Sequence, residues 1–594
     1  MPKDVIYGPQ FKRKVRARTH RRRLEGVQHR HQRAPLAPLP GEPLVITATT
    51  SGPLPFAEVC CWYWTDDIPP TRLSFERTSV AWDELIWDYV QYWSATLPAF
   101  AAGAWLRYQV GGRVAVTYGD PPRWIYADNQ AASRETATQF AISIDGSAPP
   151  GWARAALVYH IFLDRFHPGD GVPWNETQSI RDFYGGTLRG VIQKLDYIAS
   201  LGMNAIWLSP IFASPTHHGY DATDLFAVEP RLGTNADLEE LVAAAHARGV
   251  RILLDFVPNH WSNQHSSFLH AREHADSPYR DWYLWQDWPD DYVSYFGVPT
   301  MPKLNLAPGG PVRQHLIDAA AYWLGLGVDG FRLDHANGPP HDFWAEFRRA
   351  CLRANPDCWL FGEVVEPPPV QLGYQGSLHG NLDFALARAL RATFALGSWD
   401  LAQFDAFLGS HERFFPAGFS RPAFFDNHDM NRLLFLADGD EARLKLAALA
   451  LFSLEGQPVI YYGTEAGVSQ ENSTRDGVGL DEARQPMLWG EAQNSELVEY
   501  FRKLASLRGA HPIPEGAARR TVHLDPRKGT YAFHWGSDSP LFLSAFNLGR
   551  DPQTLRVPAI FPVFPQDHLG GQPVTQTGDT LEITLAPQTG AFIS

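Results

Sequence analysis

The chain is poor in the features that mark disulfide-stabilised and membrane-spanning proteins. Its 594 residues include only four cysteines, and these contain no CxxC pair: Cys60, Cys61, Cys351 and Cys358. A chain of this length does not need disulfides to hold a core, so we expect four free thiols. No apolar run reaches the roughly 18 residues of a membrane helix, and no apolar stretch of a secretory signal follows the basic N-terminus. These absences predict a cytoplasmic protein without a membrane partner.

Positive charge is scarce outside the first 33 residues. Residues 1–33 contain eleven Lys or Arg and two acids, whereas the remainder carries a net charge of −23. The strong negative charge of the remaining residues argues against a nucleic-acid partner, because phosphate binding requires a basic face. The basic head alone would favour a nucleic-acid-associated protein. Residues 1–40, rich in Arg and His and ending in a Pro-rich stretch, predict a disordered basic arm and linker.

The remaining sequence divides into three parts by its hydrophobic pattern. Residues 41–150 hold short alternating runs such as LVITATT and WLRYQV between turn signals, which predicts an N-terminal β-sandwich. Residues 151–510 alternate eight strand-like runs with helical patterns, which indicates an α/β fold, the (β/α)8 TIM barrel. The gap at 261–312, after strand 3, is too long for a crossover and predicts an inserted subdomain. Residues 511–594 predict a C-terminal β-sandwich.

Six tryptophans fall between Trp62 and Trp105 in the first β-region. Tryptophan packs well in sheet cores and also forms flat platforms for ligands. The sequence leaves both interpretations open.

Acidic side chains follow four of the predicted barrel strands, at the end where barrel enzymes carry their catalytic groups. Such a cluster suits either a metal ion or glycoside hydrolysis by paired carboxylates. Arg332 lies two residues before Asp334, so both side chains point to one face of the strand. The guanidinium would keep a nucleophilic carboxylate ionised and would weaken metal binding. Glu363, on the next strand, could stay protonated as a general acid if partly buried. The arginine therefore favours a glycosidase.

Four segments resemble the signature segments of the α-amylase family, in the family's order: DFVPNH, GFRLDHAN, GEVV and FFDNHD. A fifth, MPKLN at Met301–Asn305, and the N-terminal β-domain resemble the neopullulanase, cyclomaltodextrinase and maltogenic amylase group. The resemblance covers residues 155–510 and implies catalytic roles for three carboxylates. Asp334 would be the nucleophile, Glu363 the acid/base, and Asp429 the third acid, which binds sugar hydroxyls.

The resemblance also assigns supporting residues. Arg332 would support the nucleophile, His260 and His428 would bind the sugar, and Tyr220 would stack beneath it. Asp255 and Asn259 would hold the first segment in place.

The function implied is a retaining hydrolase of α-1,4 bonds in maltooligosaccharides, cyclodextrins, pullulan or starch. The carboxyl groups of Asp334 and Glu363 would lie roughly 5–5.5 Å apart. A 4-α-glucanotransferase using the same site, and a non-catalytic glycan-binding relative, are the alternatives. Members of the group also imply a homodimer in which the N-terminal domain covers the partner's site.

Two departures from the family pattern affect these expectations. His335 and Gly338 replace the usual Val and acid after Asp334, which changes the acceptor side of the site. Thr187 stands in YGGTLRG where some relatives have a calcium-binding Asp, so we expect no metal cofactor.

Overall fold

The computed structural model of the protein describes residues 6, 13–115, 123–536, 540–559, 561 and 565–594. After helix α1 (Arg13–Arg22), an N-terminal domain consists of two five-stranded antiparallel sheets. The first sheet has the order β1-β3-β7-β6 with β2 beside β3, and the second has β10-β8-β4-β5 with β9 beside β8. The strands are β1 Gly26–Gln28, β2 Arg33–Ala34, β3 Leu44–Ser51, β4 Phe56–Trp64, β5 Thr71–Ser74, β6 Glu76–Asp83, β7 Asp88–Leu97, β8 Trp105–Val114, β9 Arg123–Tyr126 and β10 Phe140–Ser143.

The structure differs from the expected disordered arm within residues 13–40. Helix α1 is formed there, and strands β1 and β2 both pair with β3 in the sandwich. His29 is fully buried. Its two ring nitrogens lie within hydrogen-bond distance of the Tyr108 hydroxyl and the Thr47 carbonyl, which replace water as partners. The composition of the segment gives no indication of these partners, because they come from distant parts of the chain. Residues 1–5 and 7–12, also assigned to the arm, lie outside the described residues.

The tryptophans of this domain divide between its core and its surface. Trp93 is buried in the sandwich, whereas Trp82 and Trp87 are 46% and 74% exposed. They lie on the hairpin formed by β6 and β7. Neither the core nor the platform interpretation therefore applies to the whole cluster.

A parallel sheet of seven strands forms most of the predicted barrel, in the order β20-β19-β18-β15-β12-β11-β21. Single parallel bridges from Gly380 to Ser420 and from Ala423 to Pro458 connect its two edge strands through an eighth segment. This segment contains the run RPAFFDNHD, so the predicted TIM barrel is confirmed. The sheet strands are β11 Val158–Ile161, β12 Ala205–Leu208, β15 Arg251–Phe256, β18 Gly330–Leu333, β19 Trp359–Gly362, β20 Gly380–Asn381 and β21 Val459–Tyr461.

Helices alternate with these strands, and α5 illustrates how the sequence sets their ends. The Thr234 side chain accepts from the Asp237 amide, and the Asp237 side chain accepts from the Thr234 amide, a capping box that begins α5. The helices are α2 Gly151–Arg154, α3 Leu188–Gln193, α4 Leu195–Ser200, α5 Asn235–His246, α6 Ser266–Glu273, α7 Pro311–Gly325, α8 His341–Ala354, α9 Pro368–Leu372, α10 Phe384–Leu390, α11 Leu401–Phe414, α12 Leu433–Leu436, α13 Glu441–Ser453 and α14 Ser495–Ala510.

Short strands form hairpins outside the barrel sheet. One pairs β13 (Phe212–Ala213) with β14 (Asp224–Val228). The other, in the segment after the third barrel strand, pairs β16 (Trp285–Asp287) with β17 (Asp291–Tyr292). A bridge between Lys303 and His260 connects the end of that segment to the barrel rim.

The C-terminal region contains two antiparallel sheets, of four and three described strands. Their orders are β22-β23-β24-β28 and β25-β27-β26. The strands are β22 Arg519–Asp525, β23 Thr530–Trp535, β24 Leu543–Asn547, β25 Gln553–Pro558, β26 Val574–Thr577, β27 Thr580–Leu585 and β28 Thr589–Ile593.

Candidate active site

The barrel register brings the predicted acids to one rim. Asp255 on β15 is paired directly with Arg332 on β18, and Asp334 and Glu363 follow the ends of β18 and β19. The amide of Asp334 donates to the Phe256 carbonyl at 2.9 Å. The positions of the two acids are therefore fixed by the ladder of parallel strands.

Arg332 contacts three of the predicted carboxylates with one guanidinium. Its Nη1 donates to Oδ1 of Asp255 and to Oδ1 of Asp334, both at 2.8 Å, and its Nη2 lies 3.0 Å from Oε1 of Glu363. Burial opposes the charge on Arg332, but the three carboxylates raise its pKa well above the ordinary value. The cation therefore stays charged and holds the acids together.

Asp334 is buried beside this single cation and several acids. Burial raises the pKa of Asp334 well above its usual value; Arg332 acts in the opposite direction, and the nearby Glu363 raises the pKa further. One cation does not balance three carboxylates, so protonation of one acid relieves their repulsion. A site of this kind is suited to exchanging a proton with a bound substrate.

Tyr220, His428 and Asp429 form a second connected group. The Tyr220 hydroxyl donates to Oδ2 of Asp255 at 2.9 Å, so its oxygen accepts from Nε2 of His428, 2.6 Å away. The same nitrogen lies 2.9 Å from Oδ2 of Asp429. The two rings are nearly parallel, at 10°, with centroids 5.3 Å apart. These contacts connect Asp429, the predicted third acid, to Asp255 through Tyr220, the residue predicted to stack beneath the sugar.

His260 is oriented by its neighbour in the sequence. The Asn259 amide nitrogen donates to Nδ1 of His260 at 3.0 Å, which makes Nε2 the protonated nitrogen. That nitrogen is buried, and no side chain within the described ranges hydrogen-bonds to it, although the backbone of Tyr220 interacts with the ring. Burial lowers the pKa of His260 to about 3. A neutral N–H donor without a side-chain partner is suited to binding a sugar hydroxyl.

Two parts of the site were not predicted from the sequence. Tyr295, in the inserted segment, stacks on His260 with centroids 4.3 Å apart, and Phe296 packs 5.3 Å from His335. Arg484, in the long loop after β21, donates to Asp429 at 3.0 Å. Residues in long loops follow no strand-end pattern; only the aromatic pair YF and an arginine after the last strand could have indicated them.

Arg484 gives Asp429 an environment unlike that of Asp334. His428 and Arg484 lower the pKa of Asp429 below its usual value although burial acts in the opposite direction. Asp481 accepts from the other side of the Arg484 guanidinium, at 2.9 Å. Asp429 is therefore held as a carboxylate that accepts hydrogen bonds.

Thr187 has a structural role in the position where some relatives have a calcium ligand. Its hydroxyl accepts from the Gly190 amide at the start of α3 and donates to the Pro168 carbonyl. Among the residues described, no cluster of three or more His, Cys, Asp or Glu has the arrangement of a metal site. None of the helices in the described part of the chain is long and apolar enough to span a membrane.

Comparison with known proteins gives a family match for this barrel. The model of the α-amylase catalytic domain matches residues 160–502. Alpha-amylase 2 of Dictyoglomus thermophilum is 39% identical over 375 residues, 62% of this chain and 66% of that protein. Neopullulanase 2 of Thermoactinomyces vulgaris is 34% identical over 472 residues, 75% and 78% of the two chains. A solved cyclomaltodextrinase superposes with a TM-score of 0.70 at 25% identity, covering 96% of this chain and 99% of that one. The protein therefore belongs to the α-amylase family of glycoside hydrolases.

Proposed function

We propose that the protein hydrolyses α-1,4-glucosidic bonds in maltooligosaccharides, cyclodextrins, pullulan or starch with retention of anomeric configuration. The observation that carries the proposal is the contact of Arg332 with both Asp334 and Glu363. The shared cation keeps two carboxyl groups of adjacent strands close together, and double displacement requires a close pair of carboxyl groups. The similarity to a neopullulanase and a cyclomaltodextrinase supports this substrate class.

In the proposed mechanism the single proton that relieves the repulsion among these acids lies on Glu363, so Asp334 attacks the anomeric carbon as a carboxylate and forms a glycosyl ester. Glu363 donates its proton to the glycosidic oxygen as the bond to the leaving sugar breaks. Glu363, now ionised, removes a proton from water, whose oxygen attacks the anomeric carbon and releases Asp334. Tyr220 supports the sugar ring, while His260, His428 and Asp429 bind its hydroxyls.

A transglycosylase on the same site is the second candidate, and one observation favours it. The Phe296 side chain is 80% exposed and lies against His335, the residue after the proposed nucleophile. An exposed aromatic ring there could hold an acceptor sugar, which then competes with water for the glycosyl ester. The two functions share every step before this competition.

Incubation with maltotriose, a cyclodextrin, pullulan and starch separates these functions. We expect glucose and maltose from maltotriose, with products first appearing as the α-anomer in proton NMR. Products longer than maltotriose would indicate transfer. First appearance of the β-anomer would contradict the retaining mechanism, and no turnover of any of the four would contradict the hydrolase.

We further propose that the protein forms a homodimer through the β6–β7 hairpin. Exposed aromatic rings crowd this hairpin, with Trp82 and Tyr89 5.0 Å apart and Trp82 and Trp87 5.5 Å apart. The basic helix α1 lies next to the hairpin, and its His20 contacts Asp83 of β6. This basic and aromatic surface is complementary to a second copy whose remainder is acidic.

Light scattering measures this assembly directly. We expect about twice the mass of one chain at micromolar concentration, and one chain's mass for a Trp82→Ser/Trp87→Ser variant. The Trp62→Ser variant, altered on the other sheet, is the control and should remain dimeric. A wild-type protein of a single chain's mass would refute the dimer.

We also propose a cytoplasmic location. The four cysteines are all unpaired and buried, as expected for a protein of a reducing compartment.

A further inference from the structure

The N-terminal segment places an imidazole against a barrel helix. The ring of His31 stacks on that of His341, the first residue of α8, with centroids 3.7 Å apart and planes 24° apart. Arg33, two residues further on, is also buried and donates to the carbonyl of Gln375. The segment is thus attached to the start of α8 and to the connection between α9 and β20.

The turn that presents His31 is held in an unfavourable conformation. Arg30 and His31 both have positive φ, 49° and 59°, a region that non-glycine residues seldom occupy. The Asp128 carboxylate accepts from the amides of His29 and Arg30 at 2.8–3.2 Å and so fixes the turn. Backbone strain of this kind persists where the surrounding structure enforces it, and such places are often functional.

His341 also contacts Tyr374, whose hydroxyl supports the loop after Asp334. The ring of Tyr374 lies 4.0 Å from that of His341. The Tyr374 hydroxyl donates to the carbonyl of Ala336 at 3.1 Å, and the Ala336 amide donates to the Glu363 carbonyl at 2.9 Å. Ala336 lies two residues after Asp334. A continuous chain of contacts therefore connects His31 to the backbone beside both proposed catalytic acids.

The loop after Asp334, which Tyr374 supports, contains a residue in an unfavourable backbone conformation. His335, between Asp334 and Ala336, has φ of 42°. Its amide donates to Oε2 of Glu363 at 3.1 Å, which joins the loop to the proposed acid/base. Without contacts from outside, a left-handed residue would return to a commoner conformation and move the nucleophile.

The stacked pair does not have the geometry of a metal site. The two imidazoles stack face to face, whereas ligands of one ion must converge on it, and no third His, Cys, Asp or Glu of the described residues completes a metal cluster with them. The rings act as a packing contact between the N-terminal segment and the barrel.

We propose that His31 and His341, acting through Tyr374, are positioning residues that hold the Asp334 loop in its reactive geometry. The proposal rests on the proposed glucan hydrolysis, since its effect is read from that reaction. A displacement of about 1 Å at a reacting group can lower a rate by about a hundredfold. Loss of the stack should thus reduce kcat more than substrate affinity.

The test compares variants of the full chain on maltotriose. We expect His341→Ala to lower kcat about tenfold with KM changed less than about twofold, and His341→Phe to restore kcat to within about twofold of wild type. His31→Asn tolerates positive φ and removes the same stack, so the double variant His31→Asn/His341→Ala should be no slower than His341→Ala. Gln32→Ala, which alters an exposed side chain of the same segment outside this chain of contacts, should leave kcat unchanged.

Three outcomes would overturn the proposal: unchanged kcat in folded His341→Ala, equal loss in His341→Ala and His341→Phe, or additive losses in the double variant. If His341→Ala fails to fold by circular dichroism, His31→Asn and Tyr374→Phe provide the same test, and unchanged kcat in both overturns the proposal. An inactive wild type would instead reject the proposed function, because the positioning proposal concerns only the ratio of variant to wild type.

Discussion

Asp334→Asn and Glu363→Gln are each expected to lower kcat on maltotriose by at least about 10⁴-fold while the fold stays intact. Asparagine keeps the shape of Asp334 and can still accept from Arg332, but its amide cannot form the glycosyl ester. Glutamine in place of Glu363 has no acidic proton to give to the leaving oxygen. Initial rates at saturating substrate, with circular dichroism as the fold check, measure the effect.

The leaving group distinguishes the two roles. An aryl glucoside whose phenol leaves without protonation should recover a large part of its rate in Glu363→Gln but not in Asp334→Asn. Glu366→Gln, three residues along the same segment, is the matched control and should remain within about twofold of wild type. Near wild-type turnover of maltotriose by either Asp334→Asn or Glu363→Gln would reject the mechanism.

The unfolding temperature of Asp334→Asn gives an independent test of the role of this carboxylate. Burial raises the pKa of Asp334 because the ionised form is unfavourable there, and Glu363 adds repulsion. A neutral asparagine removes both effects, so the unfolding temperature of Asp334→Asn should not fall below that of wild type. A large decrease would show that the carboxylate is mainly a structural partner of Arg332.

The catalytic rim could be predicted from the sequence because it follows from the periodicity of one repeated unit. Parallel strands with crossover helices bring every strand end to one face, so Asp255, Arg332, Asp334 and Glu363 had to meet there. Tyr295 and Arg484 come from long loops, whose paths depend on contacts made only in the folded chain. No periodicity of the sequence determines those paths.

The N-terminal segment was misjudged for a different physical reason. Its Arg and His content suggested disorder because such side chains usually prefer water. Burial of His29 and Arg33 becomes favourable only with hydrogen-bond partners such as Tyr108 and the carbonyl of Gln375, which are far away in sequence. Composition cannot show partners that the fold supplies.

The protein is expected to lose stability steeply between pH 6.5 and pH 5. Burial lowers the pKa of His29 to about 4, of His265 to about 4 and of His341 to about 3, and lowers that of His31 well below its usual value. In the unfolded chain these imidazoles take up protons near pH 6.5. Below that pH the unfolded state binds more protons than the folded state, so the stabilisation present above pH 6.5 is lost as the pH falls toward 4.

The expected size of this loss is large compared with the stability of ordinary proteins. At pH 5 a histidine whose folded pKa is about 4 contributes about 2 kcal/mol of destabilisation, a large part of a typical free energy of unfolding of about 5–15 kcal/mol. Buried acids with raised pKa, such as Asp334 and Glu465, act in the opposite direction in the same window, because the folded state takes up their protons above pH 4 and the unfolded chain does not. Among the described residues, more histidines have a lowered pKa than acids have a raised one, so the free energy of unfolding should still decrease as the pH falls.

Urea unfolding at pH 7.5, 6.5, 5.5 and 5.0 measures the slope, and His341→Phe is the informative variant. Phenylalanine keeps an aromatic ring against His31 and Tyr374 but takes up no proton, so the slope below pH 6.5 should decrease by about 1.4 kcal/mol per pH unit. A wild-type free energy of unfolding that stays constant from pH 7.5 to 5.0 would contradict the burial of neutral imidazoles.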